Sequence, residues 1–252
     1  MTSPGVRVEI DGDLAFVVLD RAERANALDA ATACAVAEAI QQVGSDARVA
    51  ILTGEGKAFC AGGDLDELEA WSKAPEEEVR EHLYSCFQAM IRAIRSSSAV
   101  VIAAINGAAV GAGCDLALAC DLRVAARGAA LGQVWVRLGV IPGTGGAWFT
   151  QALAGASAAA ELLLTGKVVS AEEAYELGLV NSVVAPDALL DEARALAESI
   201  LEHPRGGVIA NKRALVAASE AGLEAALQHA AQVQPARFTS EEFRHAVQRA
   251  RR

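Results

Sequence analysis

The stretch Val100-Val101-Ile102-Ala103-Ala104-Ile105-Asn106-Gly107 runs into Gly111-Ala112-Gly113-Cys114-Asp115-Leu116-Ala117-Leu118-Ala119. Its opening apolar run, bounded by Asn106-Gly107, predicts a short buried strand. The glycine-rich bend from Gly107 to Gly113 then feeds a short apolar helix, Asp115–Ala119, which leads into a strand over Leu122–Ala125. The same sequence of elements occurs upstream. Val49–Thr53 is a short buried strand ending in Gly54, and a glycine-rich loop continues from there to Asp64. Each glycine-rich loop leaves a strand and feeds a helix, which is where parallel α/β architectures bind ligands.

Outward from this centre the pattern stays mixed α/β. Val6, Val8 and Ile10 alternate with polar residues, and Asp11-Gly12 turns the chain into Leu14–Leu19, an opening β-hairpin. Asp29 is placed to cap a helix running through Val43. Pro75 fits the first turn of an amphipathic helix reaching Ile94, acidic at its start and basic at its end. Ser170-Ala171-Glu172-Glu173 is a capping box, with Gly178 as a helix stop and Leu179–Val184 as a strand. Pro186 opens a mostly helical tail, whose last helix follows a second capping box at Thr239-Ser240-Glu241-Glu242. No internal repeat or long linker is evident. The reading is an α/β core over residues 1–185 and a C-terminal helical segment over 186–252, with a role in oligomerisation.

Composition narrows the partners. The chain is 53% hydrophobic and 21% charged, so it is built to fold around a core. Only 4% of residues are aromatic, which leaves Ala, Val and Leu to fill the interior. A net charge of −10 argues against nucleic acid or an anionic membrane surface as partner, while leaving room for a phosphorylated small ligand held by local Arg residues. The N-terminus shows no basic leader or apolar signal core, and apolar runs such as Ala99–Ile105 are too short to span a bilayer. A cytoplasmic protein is expected. The five Cys (34, 60, 86, 114 and 120) form no Cys-x-x-Cys pair and are odd in number, so buried reduced thiols are expected.

Several motifs are excluded. Counted from Gly111, the dinucleotide-binding fingerprint fails at Leu116, where a small residue is needed. There is no phosphate-binding Gly-x-x-x-x-Gly-Lys-Ser/Thr loop and no Gly-x-Ser-x-Gly nucleophile elbow. The four His show no zinc-ligand spacing. What remains is two loops, Ala61-Gly62-Gly63-Asp64 and Gly111-Ala112-Gly113-Cys114, each placed before a helix N-terminus with backbone N–H groups to spare. Spacing alone leaves two readings open: two tight turns, or, if both face one cavity, a two-donor oxyanion hole.

These residues resemble the enoyl-CoA hydratase/isomerase (crotonase) superfamily. The resemblance lies in Asn26-Ala27-Leu28, in the segment from Leu52 through Cys60-Ala61-Gly62-Gly63-Asp64-Leu65, in Ala103–Gly107, and in Gly111–Asp121. It continues through Leu138-Gly139-Val140-Ile141-Pro142-Gly143 with Gly145-Gly146, Leu162–Gly166, and Ala171 to Asn181. It implies a spiral of ββα repeats with C-terminal helices that assemble trimers and often hexamers. By position it implies an oxyanion hole from the N–H groups of Gly63 and Ala112. It also implies that Arg24, Ala25, Ala27 and Leu28 line the pantetheine and nucleotide of coenzyme A, with Ala61, Asp64 and Leu65 beside them. Trp135 and Pro142 are then expected to bound the acyl group. Coenzyme A arrives as part of the substrate, and no metal or redox cofactor is implied.

The family pattern is broken where acid–base chemistry resides. Hydratases of the family place a Glu after the Gly-Cys pair and a second Glu further on; here the two positions hold Asp115 and Trp135. An indole shapes a pocket and donates one hydrogen bond but cannot shuttle protons. Dehalogenase and isomerase branches use an Asp at a still later position, which is Gly143 here. Asp115 is left as the acid/base candidate, competing with a role as a helix cap, and Asp66, Glu67 and Glu69 are candidates for a second group or a solvated face. The expected function is hydration or double-bond isomerisation of an unsaturated acyl-CoA. The alternatives are a catalytically silent acyl-CoA-binding or scaffold member, and another reaction of the superfamily such as thioester hydrolysis or decarboxylation.

Overall fold

In a computed structural model describing residues 2–251, Val6–Asp11 pairs with Leu14–Leu19 in the expected antiparallel hairpin. The hairpin opens a seven-stranded sheet ordered Thr2–Ser3, Val6–Asp11, Leu14–Leu19, Val49–Gly54, Val100–Ile105, Leu122–Ala126, Ser182–Val184. From Leu14–Leu19 onward every neighbouring pair is parallel. A smaller sheet is ordered Val168–Ser170, Ala130–Gly132, Ala108–Val110, Ala58–Cys60. Its last three strands are parallel, and Val168–Ser170 joins them antiparallel.

The two sheets are woven by one repeated unit. Val49–Gly54 lies in the large sheet, Ala58–Cys60 in the small one, and the helix Leu65–Trp71 follows. Val100–Ile105, Ala108–Val110 and the helix Ala112–Ala119 repeat the path, and Leu122–Ala126 with Ala130–Gly132 begins it a third time. This is a ββα spiral. The central strands read as continuous apolar runs because both faces are covered. Ala50 and Leu52 join the core with Val36 and Ile40 of the helix Ala30–Asp46, while Val49 and Ile51 meet Leu189, Ala193 and Ala197 of the helix Leu189–Leu201. That last helix, on the far side of the division drawn at residue 186, thus covers a face of the sheet.

The caps hold with one shift. Asp29 accepts from the N–H of Thr32, and Ser170 with Glu173 forms a full capping box. At the last helix, Glu241–Ala250, the cap is Ser240 rather than Thr239. The helix expected from Pro75 to Ile94 is interrupted: Glu76–His82 passes through a π-helical stretch, Leu83–Gln88, into Ala89–Ser96. One expectation is overturned inside that stretch. Cys86 forms a disulfide with Cys34 of the helix Ala30–Asp46, 52 positions away, and only Cys60, Cys114 and Cys120 are free and buried. Two half-buried Cys on separate helices carry no local spacing signal. Phe238 and Phe243 of the C-terminal helices are buried within the chain, stacked edge-on with each other and, through Phe238, with Trp71. Among the described residues no helix is long and apolar enough to cross a membrane.

Candidate active site

Three parallel strands of the small sheet, Ala58–Cys60, Ala108–Val110 and Ala130–Gly132, end side by side, and the chemistry-bearing residues follow directly from those ends. After the first strand the chain passes through Ala61 to Asp64, where Leu28 forms a parallel bridge with Gly63. The bridge bonds run from Leu28 N–H to Gly62 O, 2.7 Å, and from Asp64 N–H to Leu28 O, 2.8 Å. Successive N–H groups of an extended chain point to opposite sides, so the N–H of Gly63 is turned away from Leu28. After the second strand, Gly111 is tied to Gly132 O, and Ala112 begins a helix, where the first N–H groups have no intrahelical acceptor. Neither Gly63 nor Ala112 donates to any described residue.

The two loops touch. Gly62 has φ 98°, a region that favours glycine, and a Cβ there would lie 2.9 Å from Val110 O and 3.6 Å from Ala112 N. Gly113 is needed for packing: a Cβ would lie 2.3 Å from Cys60 O, so only glycine lets the helix Ala112–Ala119 sit this close to the first strand. Neighbouring strands are spaced about 4.8 Å apart, which lets two donors at their ends reach one oxygen at roughly 2.9 Å each. The two loops that spacing singled out therefore share one place.

One cavity is lined by the first loop, and another by Trp135, which packs near Gly111 of the second. The first, of about 470 Å³, is lined by Arg24, Ala27, Ala61, Gly63, Asp64 and Leu65, together with Asp66 and Arg251. Arg24 forks onto Asp64 at 2.8 and 2.9 Å and also meets Asp66, whose other oxygen takes Arg251. Asp66 and Asp64 hold the Arg24 guanidinium above its ordinary value. Burial pushes the Asp64 carboxyl up, but Arg24, the Asp66 N–H and Arg21 outweigh it and leave it below the usual range. Ala25 and Leu28 are placed differently from the rest of the predicted set. Ala25, at φ 49°, accepts from Ala61 N–H, and the Leu28 side chain is wholly buried, so both act through the backbone that shapes the loop. Asn26, also left-handed at φ 56°, is buried and ties three loops together through Arg21 N–H and the carbonyls of Glu55 and Ala58.

The other cavity, about 340 Å³, is lined by Trp135, Pro142, Val140, Ile141, Leu163 and Gln133 among others, and no lining residue is titratable. Trp135 packs behind the second loop, 3.7 Å from where a Gly111 Cβ would stand. Asp115 is fully buried and lines neither cavity. It accepts from Gln133 Nε2 at 2.8 Å and from Thr144 Oγ1 at 2.5 Å. Burial pushes its carboxyl up to about 6, against the opposing pull of Thr144, Gln133, Trp135 and the N–H of Gly146. A Cβ on Gly146 would collide with Asp115 Oδ1, so this glycine makes room for the carboxylate at the start of the helix Gly146–Thr165. Asp115 therefore caps no helix of its own but sits at the head of another. Gln133, Thr144 and Arg251 carried no sequence signal, since each meets its partner only through the fold.

The other carboxylates are elsewhere employed. Glu67 accepts from Ala30 N–H, while Asp66 and Glu69 pair with Arg24, Arg251 and Lys73. Burial pushes the Cys60 thiol up to about 12 and Cys114 higher, so neither supplies a thiolate near neutrality. A third cavity, of about 410 Å³ and lined by Val100, Asp121 and Lys212 among others, opens where the parallel strands begin, away from the loops.

The fold is a ββα spiral whose two glycine-rich loops meet at the ends of neighbouring strands. The chain belongs to the enoyl-CoA hydratase/isomerase family, whose model matches residues 9–251, a family of lyases and isomerases. It is 36% identical to a probable enoyl-CoA hydratase of Rhodobacter capsulatus over 96% of this chain and 93% of that one. It is 33% identical to a 1,2-epoxyphenylacetyl-CoA isomerase of Escherichia coli, over 92% of this chain and 89% of the other. Among solved structures, an enoyl-CoA hydratase/isomerase from Mycobacterium paratuberculosis superposes with a TM-score of 0.90 at 32% identity, covering 97% and 98% of the two chains.

Proposed function

We propose that this enzyme acts on an unsaturated acyl-CoA thioester, with the thioester oxygen between the N–H groups of Gly63 and Ala112 and Asp115 as the proton carrier. The observation that carries the reading is the pair of unpartnered N–H groups on two loops that meet beside a charged cavity. The charged cavity suits the nucleotide end of coenzyme A, and the apolar one suits the acyl group. As a proton leaves carbon next to the thioester, charge gathers on the carbonyl oxygen. Each fixed donor there is worth about 3 kcal/mol in the transition state. Proton transfer of this kind needs no metal or redox group.

With one buried carboxylate nearby and no titratable side chain lining the apolar cavity, isomerisation is favoured over hydration. The Asp115 carboxylate takes a proton from one carbon of the acyl chain, the electron pair delocalises into the thioester as an enolate, and the protonated Asp115 returns the proton further along. A second reading has its own observation. Both Asp115 oxygens already accept bonds that anchor the helix Gly146–Thr165, which fits a structural carboxylate in a protein that binds thioesters without chemistry. A panel of acyl-CoA thioesters incubated in deuterated water and followed by mass spectrometry separates the two. Isomerisation shows as a shifted double bond with deuterium at carbon, hydration as added water, and binding without either supports the silent member.

We also infer a homotrimer or hexamer, supported by the exposed Leu164 (75%) and Leu215 (73%). Sedimentation equilibrium showing only a 26.0 kDa monomer at micromolar concentration would remove it.

A further inference from the structure

Two arginines converge on one exposed carboxylate at the charged cavity. Asp66 accepts from the Arg24 guanidinium on one oxygen and from the Arg251 guanidinium on the other, the latter at 2.7 Å. All three residues line the cavity, and they come from separate parts of the chain. Arg24 ends a short helical turn, Asp66 lies in the first turn of the helix Leu65–Trp71, and Arg251 follows the last helix. The two aspartates of the mouth are held differently. The Asp64 side chain is only 4% exposed, meets Arg21 as well as Arg24, and caps its helix through the N–H of Asp66, so it belongs to the frame. The Asp66 side chain is 61% exposed, and its carboxylate is held by the two arginines.

Such a carboxylate is readily displaced, because released from the arginines it turns into water and regains its hydration. It also stays ionised: Arg24 first, then Arg251, hold its carboxyl below the usual range, which suits a counter-charge and not a proton carrier. A phosphate offers guanidinium groups the same kind of acceptor oxygens, and Arg is the side chain that forks onto either anion. We propose that Asp66 is a tethered rival of the ligand's phosphate, holding Arg24 and Arg251 until a phosphoryl group of coenzyme A takes its place, and so setting affinity at this end of the site. The proposal rests on the acyl-CoA reading above. A bracket that merely fastens the last helix over the mouth has the opposite sign, since cutting it would loosen the cavity wall and weaken binding.

The test uses butyryl thioesters, which lack a double bond, so that binding is measured without turnover. Asp66→Asn keeps the shape and removes the charge. In calorimetry at low salt it should bind butyryl-CoA roughly three- to tenfold tighter than the wild type does. Butyryl-pantetheine, which has no phosphate, should bind both proteins equally, and the gain for butyryl-CoA should fade with added salt. Glu69→Gln takes the same charge from Arg251 but not from Arg24, and should gain about twofold at most. Butyryl-dephospho-CoA locates the phosphate: a gain kept assigns it to the diphosphate, and a gain lost assigns it to the ribose phosphate. Unchanged or weaker butyryl-CoA binding in Asp66→Asn would overturn the proposal and leave the acyl-CoA reading standing. An equal gain for butyryl-pantetheine, or from Glu69→Gln, would overturn it as well. If neither the wild type nor Asp66→Asn binds butyryl-CoA, the acyl-CoA reading falls and this one with it.

Discussion

The two cavities beside the paired loops are built on opposite principles. The mouth around Arg24 is crowded with charge, yet little of it is spare, because Arg24 and Arg251 are already met by Asp64, Asp66 and Glu69. The chamber around Trp135 is almost bare of polarity, and its one nearby carboxylate, Asp115, is sealed behind Gln133 and Thr144. The difference teaches that affinity and chemistry are separately placed. Phosphate binding at the mouth must exchange one ion pair for another and changes the net interaction modestly. In the chamber the proposed chemistry rests on Asp115 alone.

That contrast breaks most sharply at Asp115. Asp115→Asn keeps shape but cannot take a proton at working pH, and should lower turnover a hundredfold to ten-thousandfold with thioester affinity nearly intact. Retained deuterium exchange at carbon in this variant would return Asp115 to the structural role. The wild type carries a matching signature. Burial pushes the Asp115 carboxyl up to about 6, so a reaction that needs the carboxylate should lose kcat/KM as pH falls through that value. The sign for stability is the reverse. The folded chain holds this proton more tightly than the unfolded one, so Asp115's contribution to stability falls as pH rises from about 4 to about 6. In Asp115→Asn both dependences should vanish, as titrations of activity and of urea midpoint would show.

The disulfide tests whether mouth and chamber are one rigid frame. Cys34 lies on the helix whose start is held by Glu67, beneath the mouth, and Cys86 lies in the π-helical stretch whose Leu83 and Gln88 pack on Gly143, behind the chamber. A link closing a loop of this length is worth about 4 kcal/mol in the chain-entropy description. Reductant should therefore lower the urea midpoint of the wild type and leave that of Cys34→Ser unchanged. Equal curves with and without reductant would dissolve the tie.

The smallest effect belongs to the mouth. Arg24→Ala should weaken thioester binding only a few-fold, because an exposed pair is worth roughly 0–1 kcal/mol. The loss should shrink further with added salt. An affinity that is the same at every ionic strength would take Arg24 out of the site.

The contrast also marks what sequence could tell. The long strands were legible because the apolar runs Val49–Thr53 and Val100–Ile105 and the glycines after them are local signals; the ββα spiral came from the family resemblance, since the short strands Ala58–Cys60 and Ala108–Val110 read as loop. Gly63 and Ala112 were placed by family position, and their loops meet in the fold. What stayed hidden is whatever depends on residues far apart in the chain. Nothing near Asp115 announces Thr144 or Gln133, nothing near Cys34 announces Cys86, and the π-helical stretch breaks a periodicity that reads as one helix. Arg24 shows the converse: a charge placed at the mouth by family position, whose engagement with Asp64 only the fold reveals.

The side-by-side ends of the three small-sheet strands have a consequence for how such a scaffold can change. The first two ends offer main-chain atoms, which most substitutions leave in place as long as the glycines stay. The third end offers side chains, Gln133 and Trp135, and side chains are what mutation alters. Grip is thereby insulated from specificity. A lineage can rewrite the third end to suit a new acyl group and keep unchanged the main-chain donors proposed to hold the thioester.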